Sequence, residues 1–336
     1  MKAPRFWQKG GNRLPRALLW PLSLAWRAGA VTRRATTTPR TASVPVICVG
    51  NLEMGGTGKT PTVQLLSRWF AEREVRAGVL SRGYGGTLSG GKPLLVDPDM
   101  HLASEVGDEP LLHAASGPVV ISPDRAAGAE LLAPLCDVIL MDDGHQNPGL
   151  IKDFSLVVTR AAEAFGNGAV FPAGPLREPI AAGLARANAI VAMGGGIADK
   201  RLKASGLPVI RGRLQASQKL TGNRVYGFCG IGRPEGFRLT LEELGADLAG
   251  FNTFPDHHAF TERELAQLAE TATSLNAELV TTEKDAVRLP PEFRPNVRTV
   301  PVTLMLDQPE LLDGLLAPVL MSVRKLASGA AQPNRS

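Results

Sequence analysis

The chain has 336 residues, enough for two α/β domains or one large one with a buried core. An apolar fraction of 44% and a charged fraction of 21% exclude overall disorder. Cys48, Cys136 and Cys229 lie far apart in apolar runs with no CxxC pair. That argues against a disulfide scaffold or a zinc site and suits a reducing compartment.

The net charge of +5 is unevenly spread. Residues 1–52 hold nine basic side chains (Lys2, Arg5, Lys9, Arg13, Arg16, Arg27, Arg33, Arg34 and Arg40) and no acidic one, so the rest of the chain is net acidic. A nucleic-acid footprint would extend over the folded body, so no nucleic-acid partner is expected. The run Ala17 to Trp26 is too short to span a bilayer. It suits an amphipathic segment lying in the interface, with Trp20 and Trp26 at headgroup depth and arginines on lipid phosphates. Two other readings compete: a cleaved signal peptide, which Pro21 and Arg27 interrupt, and a plain helix packed on the protein. Thr32 to Ser43 reads as a polar linker. Residues 1–43 are therefore expected to form a basic amphipathic arm with its linker. The arm is expected to contact an anionic membrane leaflet and to be separable from the rest.

Val44 to Val49 is a short apolar run of the kind that forms a buried parallel strand. A glycine-rich turn follows, and then apolar residues at 63, 66 and 70 recur at helical spacing. The phosphate-binding pattern is G-x-x-x-x-G-K-[ST]. Gly58-Lys59-Thr60 fits it, but Glu53 stands at the first glycine position, and Gly55 and Gly56 replace it. The candidate ATP-binding turn is thus Gly55, Gly56, Thr57, Gly58, Lys59 and Thr60. Its N–H groups and the following helix start would cradle phosphate, with Lys59 on the β- and γ-phosphates and Thr60 on Mg2+.

Further strands are expected at Val75 to Leu80, Val119 to Ser122 and Val138 to Met141, with a helix from Asp124. Asp142-Asp143 directly after a strand is a Walker B arrangement, carboxylates at a strand end facing Mg2+ and ATP. Glu105, Asp108 and Glu109 cluster within five positions, able to hold a metal or to accept a hydroxyl proton. His257 and His258 follow Asp256, an arrangement that fits a proton relay or a plain surface pair. Arg82, Arg125 and Arg177 lie in or beside Gly/Pro-rich loops and are candidate clamps for substrate anions.

Phe154 to Val158 and Ala189 to Met193 also read as strands. Strands alternating with helices imply a P-loop NTPase-like α/β fold, a mostly parallel sheet with helices on both faces. Residues 44–215 are expected to form this P-loop domain and 216–326 a smaller α/β lobe. That lobe would hold a helix from Thr261 to about Leu275 and a strand at Glu278 to Thr282. A disordered tail is expected over 327–336.

Several stretches together carry a resemblance. They are Gly50-Asn51 with the Gly55–Pro61 turn, Ser81-Arg82-Gly83-Tyr84-Gly85-Gly86, Gly107-Asp108-Glu109-Pro110 and Asp142-Asp143-Gly144. The loop from Pro172 to Pro179, Phe228-Cys229-Gly230-Ile231-Gly232, Phe254-Pro255-Asp256-His257-His258 and Thr281 to Leu289 complete the set. In this order, over roughly 45–290, they resemble the tetraacyldisaccharide 4'-kinase family of lipid A biosynthesis.

The resemblance implies transfer of the ATP γ-phosphate to the 4'-hydroxyl of a lipid disaccharide 1-phosphate. It also implies a peripheral or monotopic enzyme on the cytoplasmic face of the inner membrane, with no obligate protein partner. It would make Asp108 the catalytic base, supported by His257, and set Glu109, Asp142 and Asp143 near the metal. Arg125 and Arg177 would lie close to phosphates or headgroup.

The family usually reads Asp-Asp-Gly-Phe-Gln-His, whereas here His145-Gln146-Asn147 follows Gly144. Either His145 takes over the role of the missing histidine or the position needs only a hydrogen bond. The competing reading is an ATPase or GTPase of the partitioning or metallochaperone type. Met54, where those proteins carry a signature lysine, and the misplaced lysine of Thr282-Glu283-Lys284-Asp285 weigh against it.

Overall fold

The structure is a computed structural model and describes residues 4–330. Its first long element is helix α1, Arg13–Thr36, capped by the Asn12 side chain on the Leu14 N–H. Strand β1, Val46–Gly50, is wholly buried and leads through the glycine turn into α2, Lys59–Ala71. Then follow β2 (Ala77–Ser81), β3 (Leu94–Leu95), α3 (Ala103–Val106), α4 (Asp108–Ala114), β4 (Val119–Ile121) and α5 (Arg125–Leu132). Asp124, where a helix was expected to start, caps α5 with its carboxylate on the Ala126 and Ala127 N–H groups. Strands β5 (Val138–Asp142) and β6 (Phe154–Arg160), short helix α6 (Ile180–Leu184), β7 (Ala189–Met193), α7 (Lys200–Lys203) and β8 (Val209–Ala216) complete this part.

A second unit is built from β9 (Arg224–Cys229), α8 (Pro234–Glu243), β10 (Asp247–Thr253), α9 (Glu262–Ser274), β11 (Glu278–Thr282), α10 (Glu283–Ala286) and β12 (Arg298–Val300). Its four-stranded sheet runs β10-β9-β11-β12, every pair parallel. The chain then returns to the first unit with β13 (Val302–Leu306) and α11 (Pro309–Ala330).

The main sheet has nine strands in the order β13-β8-β7-β6-β1-β5-β2-β4-β3. It is parallel except at its two ends, where β13 pairs with β8 and β3 with β4 antiparallel. From β1 the chain first builds the β5-β2-β4 side and then crosses to β6, β7 and β8. The glycine turn after β1 thus sits where strand order reverses, the place in open α/β sheets where ligands bind. Helices cover both faces, and the largest apolar cluster joins β1, β5 and β6 to α2 and α11. All three cysteines are buried and free, and burial pushes the Cys48 and Cys229 thiols up to about 12, which leaves them as small apolar groups.

Three expectations change. The linker expected from Thr32 is helical as far as Thr36, and Arg40 is then fastened by backbone bonds to Gly149 and Ile151 and by a 2.6 Å ion pair to Asp124. The smaller lobe ends at Val300 rather than at 326, because β13 and α11 belong to the main sheet and its core. Helix α11 continues past Ala327 to Ala330, and the remainder of the expected tail, 331–336, lies outside the described residues.

The glycine-rich stretch 81–86 and the acidic stretch 105–109 pack backbone against backbone. A Cβ on Gly86 would lie 2.3 Å from the Glu105 carbonyl oxygen, and Gly107, at φ +93°, would place one 2.7 Å from the Tyr84 carbonyl. This contact sets the start of α4. Gly86→Ala should therefore cost about 1–3 kcal/mol through overpacking, read as a lowered denaturant midpoint. A wild-type midpoint would mean that the two loops part freely.

Candidate active site

The turn after β1 is held from within. Asn51 is fully buried, and its amide donates to the Gly55 carbonyl at 3.2 Å and to Thr57 Oγ1 at 3.3 Å. Gly58 caps α2 in the left-handed region at φ +101°, a conformation that costs a side-chain-bearing residue free energy. Glu53 turns its side chain away from the phosphate position. It accepts from Thr159 Oγ1 at 2.6 Å and from the Phe165 N–H at 3.0 Å, and burial raises its carboxyl. At the place of the missing glycine it ties the turn to the end of β6.

A cleft of about 1760 Å3 opens in front of this turn, between the two units. That exceeds the usual 300–1,000 Å3 of a single-ligand pocket and leaves room for a nucleotide and part of a second substrate. Gly55, Gly56, Lys59, Arg82, Asp108, Glu109, Asp142, Asp143, Arg177 and His257 all line it. Residues from six separate stretches of sequence are thereby brought together.

Four carboxylates converge in the cleft, and each has a different setting. Asp143, at φ 50°, is held bidentately by Arg177 at 2.9–3.1 Å, and Lys59 Nζ lies 3.8 Å from its Oδ1. Asp142 is buried at the end of β5. His113 Nε2 on α4 lies 3.4 Å from its Oδ2, and its Oδ1 has no partner. Glu109 takes the Lys284 ammonium at 2.8 Å. Burial alone would raise the Glu109 carboxyl, but the lysine overrides it and holds the group below its usual value. Asp108 Oδ2 meets His257 Nδ1 at 2.8 Å and Arg288 Nε at 2.8 Å, both from the second unit. The bond to Asp108 raises the His257 imidazole above its ordinary value. His257 itself sits at φ 59°, a left-handed strain that persists only where neighbours enforce it.

The donor set suits Mg2+. This ion needs one or two carboxylates and completes its shell with water and phosphate oxygens. Asp142, with an unpartnered buried oxygen, fits that role, whereas both Asp143 oxygens are committed to Arg177. Thr60 is buried in the first turn of α2, beside Lys59. Among the described residues no group of three or more His, Cys, Asp and Glu side chains forms a cage, so a metal here depends on the nucleotide for its remaining ligands.

Some sequence expectations are corrected. Arg125 is buried behind the Asp142-Asp143 pair and donates to the Ser122 carbonyl at 2.7 Å, so it does not line the cleft. Burial pulls its guanidinium down to about 10. Arg177 does line the cleft but is engaged by Asp143 rather than free for an anion. His258 bonds Glu264 at 3.0 Å near the start of α9, so only His257 of the pair reaches the site. His145 and Asn147 both lie away from the cleft. His145 donates to the Gly183 carbonyl at 2.9 Å, and burial lowers it to about 4, so it is neutral. Asn147 Oδ1 accepts the Gly149 N–H. The residue of this stretch that lines the cleft is Gln146, which donates to the Asn51 carbonyl and to Glu178.

The arm is also a wall of the site. Trp7 Nε1 donates to the Pro172 carbonyl, Ser23 Oγ to the Val170 carbonyl and Trp26 Nε1 to the Arg177 carbonyl. Trp26, Ala30, Arg33 and Arg34 line the cleft, and Arg34 lies 3.4 Å from Glu178. Neither these contacts nor the roles of Lys284 and Arg288 at the site were legible along the chain, because their partners are more than 140 positions away.

Comparison with known proteins agrees with this geometry. The family model for tetraacyldisaccharide-1-P 4'-kinase matches residues 15–320. A tetraacyldisaccharide 4'-kinase of Rhodospirillum centenum is 53% identical over 332 residues, covering 95% of this chain and 97% of that protein. One of Methylobacterium radiotolerans is 46% identical, covering 93% and 97%. The crystal structure of LpxK from Aquifex aeolicus in complex with ATP superposes with a TM-score of 0.70 at 28% identity, covering 90% of this chain and 99% of that one. This chain belongs to the tetraacyldisaccharide-1-P 4'-kinase family.

Proposed function

We propose that the cleft transfers the γ-phosphate of ATP to the 4'-hydroxyl of a tetraacylated glucosamine disaccharide 1-phosphate, a step of lipid A biosynthesis. The observation that carries this reading is Asp108. It faces the phosphate turn from α4 while His257 reaches it from the second unit. A carboxylate at this place is the group a sugar hydroxyl needs in order to lose its proton. The partitioning or metallochaperone reading is set aside by the family assignment.

In this reading Gly55 to Thr60 cradle the phosphates, and Lys59 draws charge from the β–γ bridge. Asp142 and Thr60 would hold Mg2+, which offsets charge on the phosphate oxygens. Asp143 orients Lys59 and Arg177 rather than binding metal, and Glu109 is set by Lys284. Arg82 remains a candidate for the acceptor's anionic groups, joined now by Arg33 and Arg34 of α1.

Helix α1 is the proposed membrane contact. One side docks through Ser23 and Trp26, while Leu14, Leu18 and Leu22, at i, i+4 and i+8, stay 58–72% exposed. Arg13, Arg16 and Arg27 belong to the same helix. No helix among the described residues is long and apolar enough to cross a membrane. Leucines in the acyl boundary and arginines on lipid phosphates would hold the protein at the cytoplasmic face of the inner membrane. Because α1 also walls the cleft, the arm is not the separable anchor expected from sequence.

Lys59→Ala should lower turnover by about 10²–10³, the worth of one electrostatic clamp, with the fold intact by circular dichroism. Near-normal turnover would remove the phosphate turn from the mechanism. Asp108→Asn should lower kcat by about 10²–10⁴ with ATP affinity little changed, and His257→Ala should act in the same direction but less. If Asp108→Asn raised only the Mg2+ requirement, the residue would be a metal ligand and not the base. For the membrane, Leu14, Leu18 and Leu22 changed together to Ser should release the protein from anionic vesicles at high salt, where arginine contacts are screened. Transfer to acceptor in detergent micelles should be retained. Equal sedimentation of variant and wild type would place the membrane contact elsewhere.

A further inference from the structure

Two stretches of the sequence, Gly230 with its neighbours and Thr281 to Leu289, stand outside the phosphate turn and the metal position. The structure joins both to the proposed base through one side chain, Arg288. Its side chain is 5% exposed. Nη1 donates to the Gly230 carbonyl at 3.0 Å and to Asp285 Oδ1 at 3.1 Å. Asp285 is itself fully buried and fixed. Its Oδ1 accepts the Gly230 N–H at 2.8 Å, and its Oδ2 accepts from Thr282 Oγ1 at 2.6 Å. The guanidinium is therefore seated in a rigid cradle of the second unit, with its Nε edge 2.8 Å from Asp108 Oδ2 in the first. That contact is an ion pair whose N–H is not aligned as a hydrogen bond.

His257 Nδ1 reaches the same oxygen, Oδ2, also at 2.8 Å. Two groups of the second unit thus converge on one carboxylate oxygen, while Oδ1 makes no hydrogen bond to the described residues. A carboxylate pinned through one oxygen keeps a fixed rotamer and presents the other. We infer that Arg288 is a positioning residue for phosphoryl transfer: with His257 it holds Asp108 Oδ2, so that Oδ1 faces the cleft and accepts the proton of the acceptor hydroxyl. As that hydroxyl oxygen bonds the γ-phosphorus, the bond from phosphorus to the β–γ bridging oxygen breaks. The electron pair leaves with ADP, and the hydroxyl proton goes to Oδ1. The inference rests on the reading of Asp108 as the base.

A purely structural role, neutralising buried Asp285, would use the same arginine, and the two roles separate in a double-mutant cycle. Arg288→Lys keeps a cation beside Asp285 but lacks the planar fork needed to hold Gly230, Asp285 and Asp108 together. Arg288→Gln serves for the same cycle if the lysine variant fails to fold. The four proteins are wild type, Arg288→Lys, Asp108→Asn and the double variant. Each is assayed for single-turnover transfer with ATP, Mg2+ and lipid disaccharide, and for ATP affinity. Arg288→Lys should slow transfer about tenfold or more with ATP affinity unchanged. In the Asp108→Asn background it should change the rate less than about twofold, because no base remains to be aimed. Wild-type transfer by Arg288→Lys, or the same loss in both backgrounds, overturns the inference while leaving the base reading in place. Near-wild-type transfer by Asp108→Asn overturns the base reading, and the inference with it.

Discussion

Like charge crowded into a partly buried cleft is the constraint on which the architecture of this kinase depends. Asp108, Glu109, Asp142 and Asp143 face one space, and carboxylates cannot be gathered out of water unless cations are brought to them. The chain supplies those cations from distant places: Lys59 from the phosphate turn, Arg177 from the proline-rich loop, Lys284 and Arg288 from the second unit. Each pairing also fixes a piece of backbone. The second unit meets the first where its lysine and arginine pair with the two adjacent acids at the start of α4. Charge balance and the joining of the two units are accordingly one requirement.

The same economy explains the arm. On its docked side Trp26 bonds the carbonyl of the residue whose guanidinium clamps Asp143. Arg34 meets Glu178, which Arg186 and Gln146 also hold. A helix with exposed leucines on its outer side is thus built into the wall of the cleft. The exposed leucines and the cleft-lining Trp26, Arg33 and Arg34 therefore keep a fixed spacing on one helix.

What could be read in the sequence was what depends on neighbours along the chain. Strands β1, β5 and β7 are apolar runs with turn residues at their ends, and Thr261 with Glu264 is a capping box. The Gly58-Lys59-Thr60 turn carries its own chemistry. Strands β8 and β10 were not legible, because they are half exposed and broken by polar residues and Gly, and β13 is a short, part-exposed run beside Pro301. The full length of α1 was obscured by Pro21 and by its Thr-rich end. The arginines were the hardest, since the sequence offers a guanidinium but not its partner. Arg177 looked like a free anion clamp and is held by Asp143. Arg125 looked like a substrate contact and is buried. Arg288, within a recognised stretch but given no role, reaches Asp108. His145 looked chemically suggestive, yet burial leaves it neutral on the Gly183 carbonyl.

The second unit hangs from the main sheet by two connections, and their placement has a mechanical meaning. One is the segment from Ala216 to Arg224, the other the single residue Pro301 between β12 and β13. Both issue from the same antiparallel ladder, β8 with β13, at one edge of the sheet. A body attached at two neighbouring points swings about the line through them and resists twisting across it. Of the six rigid-body freedoms a tethered lobe would have on one flexible strand, this mounting leaves one soft. A swing about that line carries His257, Lys284 and Arg288 toward or away from α4 as a set, so Asp108 and Glu109 gain or lose their cations together.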